Sequence, residues 1–413
     1  MRRSCAVGLV VLLAAAARAA DWPGFLGPNG DDTSPETHLI RAFPPAGPTV
    51  LWTVKLGQGF GSAAVAGGQV FVLDREGKKG DALRCFDLAN GKELWTYAYE
   101  APGQVDFGGS RTTPAVDATS VFTVGLFGQV KCIDRAAHTP VWSLDLAKDF
   151  GTTIPTWGVA LSPVLYKDWL IIAPQSKTVG VAALEKATGK VVWKSAPIGE
   201  MLYVTPVITS IDGVTQVVVE NGSGAHGVDI ATGEVLWSCD FKSQIPVPQP
   251  TPIGDGRLFL TSGYGNASAM FKIEHQGNAW KVTELWRHPR VNGGHIQRPL
   301  LIDKHLYALC NNNGAKEGLV CLDLDGHELW RTGKAPSLDK GNFIYADGVI
   351  WSMDGATGEL RIIQPDPTAY KELACGKLLH PSAVWGCMAL SDGRLLARDG
   401  GELKCVDLRA TDK

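Results

Sequence analysis

The sequence predicts an all-β fold: an eight-bladed β-propeller of four-stranded antiparallel blades, closed by an N-terminal strand. The first observation behind this is a march of tryptophans. Trp52, Trp95, Trp142, Trp193, Trp237, Trp286 and Trp330 stand 43, 47, 51, 44, 49 and 44 residues apart, and Tyr370 follows 40 later in the same aligned role. The second is what lies between them. A small or proline-bearing start leads into an apolar run ("SAAVAGGQVFVLD", "TPAVDATSVFTVG", "TPIGDGRLFLTS"), and another short run ends in an acid ("LRCFD", "VKCID", "LVCLD", "LKCVD"). The third is the period. Short runs of Val, Ile, Leu and Phe bounded by Gly, Asp and Asn read as strands, and no helical periodicity persists beyond the N-terminal stretch. Four short strands fill the 40–50 residues of one propeller blade.

In chain order, residues 1–20 read as a secretory signal peptide: Arg2 and Arg3, the apolar "AVGLVVLLAAAA" and the small-x-small "ARA". The lead-in, 21–48, is irregular, with Trp22 and Phe25 expected to be pinned against the propeller. The propeller itself is assigned to 49–408 and a short tail to 409–413. Its eight units begin near Ser62, Thr113, Ser162, Thr205, Thr251, Arg298, Asn342 and Cys387. The last unit reaches "LKCVDL" without a tryptophan, so "TVLWTV" around Trp52 is expected to supply the missing outer strand and leave no open sheet edge. Within a unit, "NGKELW", "TGKVVW", "TGEVLW" and "DGHELW" place a glycine four residues before the tryptophan. The glycine is expected to take a positive-φ position in the hairpin between third and fourth strands, and the indole to fill the gap between blades.

Composition narrows the function. Net charge is −3 and no basic run occurs, which argues against nucleic acid and anionic membranes as partners. No stretch after the leader is long and apolar enough to span a bilayer as a helix, so export to the periplasm or the outside is expected. Cys85, Cys132, Cys321 and Cys405 share one repeat position, filled by Ala183 and Val228 in the third and fourth units. That slot wants a small apolar side chain, so buried thiols are expected there, with a Cys310–Cys321 disulfide as the alternative.

The pattern in "DIATGEVLW", "DLANGKELW" and "EKATGKVVW" resembles the pyrroloquinoline-quinone (PQQ)-type repeat. The opening "DWPGFLGPNGDDTSPE" is similar to exported bacterial proteins that carry such propellers. The resemblance implies one of two functions. Quinoprotein dehydrogenases hold the quinone and calcium in the central funnel and oxidise alcohols or sugars. Other relatives, such as the lipoprotein of the outer-membrane β-barrel assembly machinery, are binding scaffolds without a cofactor. Against the dehydrogenase stand the lack of a Cys-Cys pair, of a "C-x-x-C-H" haem site and of an assignable set of acidic and amide ligands for calcium. Asp106, Glu200 and Asp339 are the acids of the inner loops. A binding scaffold with no cofactor is the expectation, and a PQQ- and calcium-dependent oxidoreductase the alternative.

Candidate ligand-binding residues come from the loops before each inner strand. Arg111, Tyr203 and Gln249 stand three residues before Pro114, Pro206 and Pro252, while Trp157, Gln297, Arg298 and Trp385 fall in corresponding connections. Arginines, aromatics and amides around one funnel suit a planar or anionic ligand or a protein partner, or else plug the channel. No catalytic residue and no metal ligand is assigned. "GSGAHG" at 222–227 leads into a strand rather than a helix and reads as a turn, and "CNNNG" at 310–314 reads as a turn near the mouth.

Overall fold

A computed structural model describes residues 20–264, 268–289, 292–312, 315–381 and 383–411. Nearly all of the leader lies outside the described residues. The described residues form eight sheets, each with four antiparallel strands of the ring, and one five-residue helix, Leu146–Phe150. The first blade runs Ala63–Ala66, Gln69–Glu76, Gly80–Asp87 and Glu93–Glu100 from axis to rim. Later blades start at inner strands Ala115–Val116, Val164–Tyr166, Val207–Ile211, Thr251–Gly254, Leu300–Ile302, Asn342–Ala346 and Ala389–Ser391. The eighth blade takes its outer strand, Val50–Lys55, from the N-terminal side of the ring. Trp52 stands opposite Cys405, so the ring closes as the missing tryptophan of that blade predicts.

Two devices join neighbouring blades. Near the axis, the hydroxyl that opens one unit accepts the amide of the unit before it. Ser62 N donates to Thr113 Oγ1 at 3.2 Å, Thr113 N to Ser162 Oγ at 2.9 Å, and Ser162 N to Thr205 Oγ1 at 3.0 Å. At the rim, most of the tryptophans reach into the turn of the next blade, whereas Trp237 Nε1 turns to Gln216 of its own blade. The Nε1 groups of Trp52, Trp142, Trp193 and Trp286 donate to Leu88, Lys186, Ile230 and Leu324 carbonyls at 2.8–3.0 Å. A Cβ on Gly91, Gly189, Gly233 or Gly326 would lie 2.6–2.8 Å from those same rings. The repeated glycine therefore does two jobs. It adopts positive φ, and it leaves the flat surface on which the preceding indole lies. In the second blade His138 (φ 59°) takes the glycine position and stacks on Trp95 at 4.6 Å.

Register corrects two alignments. Ile362 pairs with Ala374 where other blades pair a slot residue with tryptophan, so Ala374 holds the tryptophan position of the seventh blade. Tyr370, four residues earlier, sits in the glycine position and meets Trp330 edge-on at 6.1 Å. In the fourth blade the residue facing Trp237 is Gly227, not Val228, which pairs with Val235 beyond a bulge that the other blades share. Cys85, Cys132, Cys321 and Cys405 each face their tryptophan, and the eight cysteines among the described residues are all free thiols. Cys310 and Cys321 form no disulfide.

The lead-in is not a loose extension. Trp22, 1% exposed, pairs through its backbone with Val65 of the first inner strand, and Val116 N donates to Pro23 O. Thr33–Ser34 then adds to the seventh blade, parallel to Tyr345–Ala346, and Glu36 accepts the amides of Asp392 and Gly393 beside the eighth. The segment thus crosses the central channel from blades one and two to blades six, seven and eight.

Candidate functional site

The loops before the inner strands surround a cavity of about 310 Å³. Counting two residues back from each unit's start gives Phe60, Arg111, Ala160, Tyr203, Gln249, Ile296, Lys340 and Trp385. All eight line the cavity, one from every blade. The hydroxyl slot is locked against the neighbouring blade, so the residue two positions earlier is the one each blade turns toward the axis. A second layer adds Phe107, Trp157, Val247, Tyr264 and His295, with Cys387 between layers, and Phe25 of the lead-in reaches the cavity from the channel side.

Five of the seven candidates therefore meet: Arg111, Trp157, Tyr203, Gln249 and Trp385. Gln297 and Arg298 do not line the cavity, which corrects their placement. Both are buried and turn to the lead-in, where Gln297 Nε2 donates to Asp32 Oδ2 and Arg298 Nη1 donates to Gly30 O at 3.1 Å. Burial raises the Asp32 pKa well above the usual carboxylate range, and the Arg298 charge opposes that rise. Gln297 and Arg298 fix the plug, and Arg298 occupies the slot that holds a hydroxyl in blades one to five.

The cavity walls are aromatic. Phe60 stacks on Trp385 at 5.2 Å, and Phe107 leans on Trp385 at 5.7 Å. Trp157 and Tyr203 meet at 5.4 Å on blades three and four. Arg111, from blade two, bridges these groups. Its Cζ lies 5.2 Å from the Phe60 centroid, Nε donates to Trp157 O, and Nη2 donates to the Asp106 and Phe107 carbonyls. Burial brings the Arg111 pKa down to about 10, still high enough to keep it a cation at neutral pH. Lys340 Nζ stands 5.5 Å over Trp385. Opposite, His295 Nε2 lies 3.0 Å from Tyr264 Oη, and burial together with Lys340 brings the His295 pKa down to about 4, so the imidazole is neutral.

The chemistry of this lining is one-sided. It holds two cations and no carboxylate. Calcium requires several oxygen ligands, and the lining's oxygen donors reduce to two phenols, one amide and the backbone. Among the described residues, no group of three His, Cys, Asp or Glu could hold a metal ion. The residues present do not fit a quinone–calcium centre, and no carboxylate stands ready as a base. A second cavity, of about 280 Å³, lies behind the loop that carries Phe107. The buried cation there, Arg75, is already paired with Asp81 at 2.7 Å.

Phe60, Ile296 and Lys340 escaped the sequence reading although the offset that selected Arg111 reaches them. The units of Phe60 and Lys340 lack the proline that marked the others, whereas Ile296, like the equally missed Ala160, stands three residues before a proline (Pro299 and Pro163) but is a plain apolar residue. Phe107, Tyr264 and His295 obey no repeat offset and carry no sequence signal.

Comparison with known proteins agrees with the fold. A family model described as "Outer membrane protein assembly factor BamB" matches residues 36–106 and 79–308. BamB of Yersinia pestis is 25% identical over 230 residues, covering 54% of this chain and 56% of that protein. The chain thus spans just over half the length of that relative. BamB of Moranella endobia (strain PCIT) is 25% identical over 279 residues, 64% of this chain and 67% of the other. Among solved structures, BamB from Moraxella catarrhalis superposes with a TM-score of 0.59 at 16% identity, covering 88% of this chain and 99% of that one. Quinohemoprotein alcohol dehydrogenase from Comamonas testosteroni gives 0.63 at 12% identity, covering 97% and 82%. At such identities the structural likeness shows the fold alone. Because the family model spans well over half of the sequence, the chain belongs to the PQQ-like β-propeller family described as outer membrane protein assembly factor BamB.

Proposed function

We propose that this protein is an exported, non-catalytic binding scaffold that captures its ligand or partner protein at the funnel mouth. The observation that carries the reading is the ring of eight, in which every blade contributes one residue to a single aromatic and cationic cavity. A ring used only to fill a channel would be served by apolar side chains. Arg111 carries its charge into that apolar cleft with only neutral carbonyl oxygens as hydrogen-bond partners, and an anion would complete the set. The relatives named for outer membrane protein assembly make capture of another protein part of this reading, and their setting favours the periplasm. No helix among the described residues is long and apolar enough to cross a membrane.

The test uses 1-anilinonaphthalene-8-sulfonate, an aromatic anion that fluoresces in apolar sites. The folded protein is expected to bind it saturably, and Arg111→Glu to abolish binding with the melting temperature nearly unchanged. Equal dye binding by both proteins would remove the mouth from the account. A dye-linked oxidation assay with alcohols or sugars, run with added pyrroloquinoline quinone and calcium, is expected to stay at background. Turnover dependent on quinone and substrate would overturn the non-catalytic reading.

A further inference from the structure

We propose that the mouth takes a small aromatic monocarboxylate, held without a metal, with Arg111 and Lys340 supplying the countercharge and the aromatic walls holding the ring. This rests on the reading of the mouth as the binding site and names the chemistry that fits it.

The charge comes first. Arg111 is partly buried, and its hydrogen-bond partners are all neutral carbonyl oxygens reached from Nε and Nη2. Among the described residues it pairs with no carboxylate, and Nη1 makes no hydrogen bond. Lys340 lines the same space, and no acid does. Two cations in an apolar cleft repel each other and any cationic ligand, while the field they make draws an anion. A guanidinium recognises a carboxylate by charge-assisted hydrogen bonds in its own plane.

Shape comes second. Arg111 stands on blade two, between the Phe60–Trp385 wall of blades one and eight and the Trp157–Tyr203 wall of blades three and four. A ligand whose carboxylate meets Arg111 has its body between those two walls, where flat rings stack or meet edge to face. About 310 Å³ is at the small end for a ligand pocket, which suits one or two fused rings. A phosphate or sulfate would leave most of its oxygens against aromatic carbon. A quaternary ammonium would find the Phe60 and Trp385 faces already covered by cations.

The experiment is calorimetric titration of the folded protein with 1-naphthoate, 1-naphthamide and cyclohexanecarboxylate, each with and without EDTA. Saturable one-to-one binding of naphthoate is expected, unaffected by the chelator. The neutral amide and the saturated acid should each bind roughly tenfold or more weakly, and Arg111→Met should cost roughly ten- to a hundredfold for naphthoate. The two analogues test the proposal on the unaltered protein, so it stands or falls even if the variant is unstable. Amide binding equal to naphthoate, dependence on calcium, or no saturation at millimolar naphthoate would each overturn it. If the anilinonaphthalene dye still binds through Arg111 while naphthoate does not, only this ligand class falls. If neither binds, the mouth itself is not the site.

Discussion

Gly233 shows how much one residue carries in this fold. Its φ of 80° and the 2.6 Å separation between a would-be Cβ and the Trp193 ring exclude a side chain for two separate reasons. Gly233→Ala is expected to cost about 1–3 kcal/mol, the penalty of a strained backbone position, read from urea denaturation. Glu220 makes a different prediction. It is fully buried in the fourth blade with neither carboxylate oxygen hydrogen-bonded, and burial raises its pKa well above 4.5. The folded protein therefore keeps a proton that the unfolded chain releases above about 4.5, so unfolding sheds a proton and rising pH favours it. Stability that Glu220 leaves intact at low pH is lost as pH climbs through the raised folded value. Glu220→Gln should flatten this slope in melts taken from pH 5 to 9, and an unchanged slope would show that the acid is already ionised. Neither the orphaned carboxylate nor the strain at Phe107 (φ 53°) could be seen in the sequence, since both depend on neighbours supplied by other blades.

At the scale of elements, the outer strand and its tryptophan form the most legible unit of the sequence. The motif is local: an acid closes the turn, a glycine follows, and the indole comes four residues later. Asp87, Asp229 and Asp354 each accept two backbone amides of their own turn. Where a blade departs from the motif the reading slipped, as with Tyr370, because a glycine position filled by an aromatic cannot be told by type from a tryptophan position. Trp237 tests the interblade plug. Its indole is 5% exposed, and its Nε1 donates to Gln216 Oε1 at 2.6 Å within its own blade. Trp237→Ala is expected to cost about 3–5 kcal/mol. A variant that melts with the wild type would show that the indole does not hold the fourth blade.

The whole molecule is a closed ring with its channel crossed by its own N-terminal segment, and this decides which arginines serve what. The ring of eight was legible in principle, for the unit starts fix it by a constant offset. The plug was not, because its contacts with Gln297, Arg298 and Tyr345 join residues hundreds of positions apart with no shared pattern. Arg111 and Arg298 looked equivalent in sequence, yet one faces the cavity and the other is 4% exposed beside Asp32. Arg298→Glu should lower stability, because it removes the buried hydrogen bond to Gly30 and sets a second acid beside the buried Asp32. The measurement that tests the account most directly is therefore a side-by-side comparison of Arg111→Glu and Arg298→Glu, reading melting temperature and anilinonaphthalene-dye affinity together. Lost affinity at near wild-type melting temperature is expected for Arg111→Glu, and a lowered melting temperature for Arg298→Glu. Intact dye binding with a lowered melting temperature in Arg111→Glu would contradict it, and would make the mouth a structural plug.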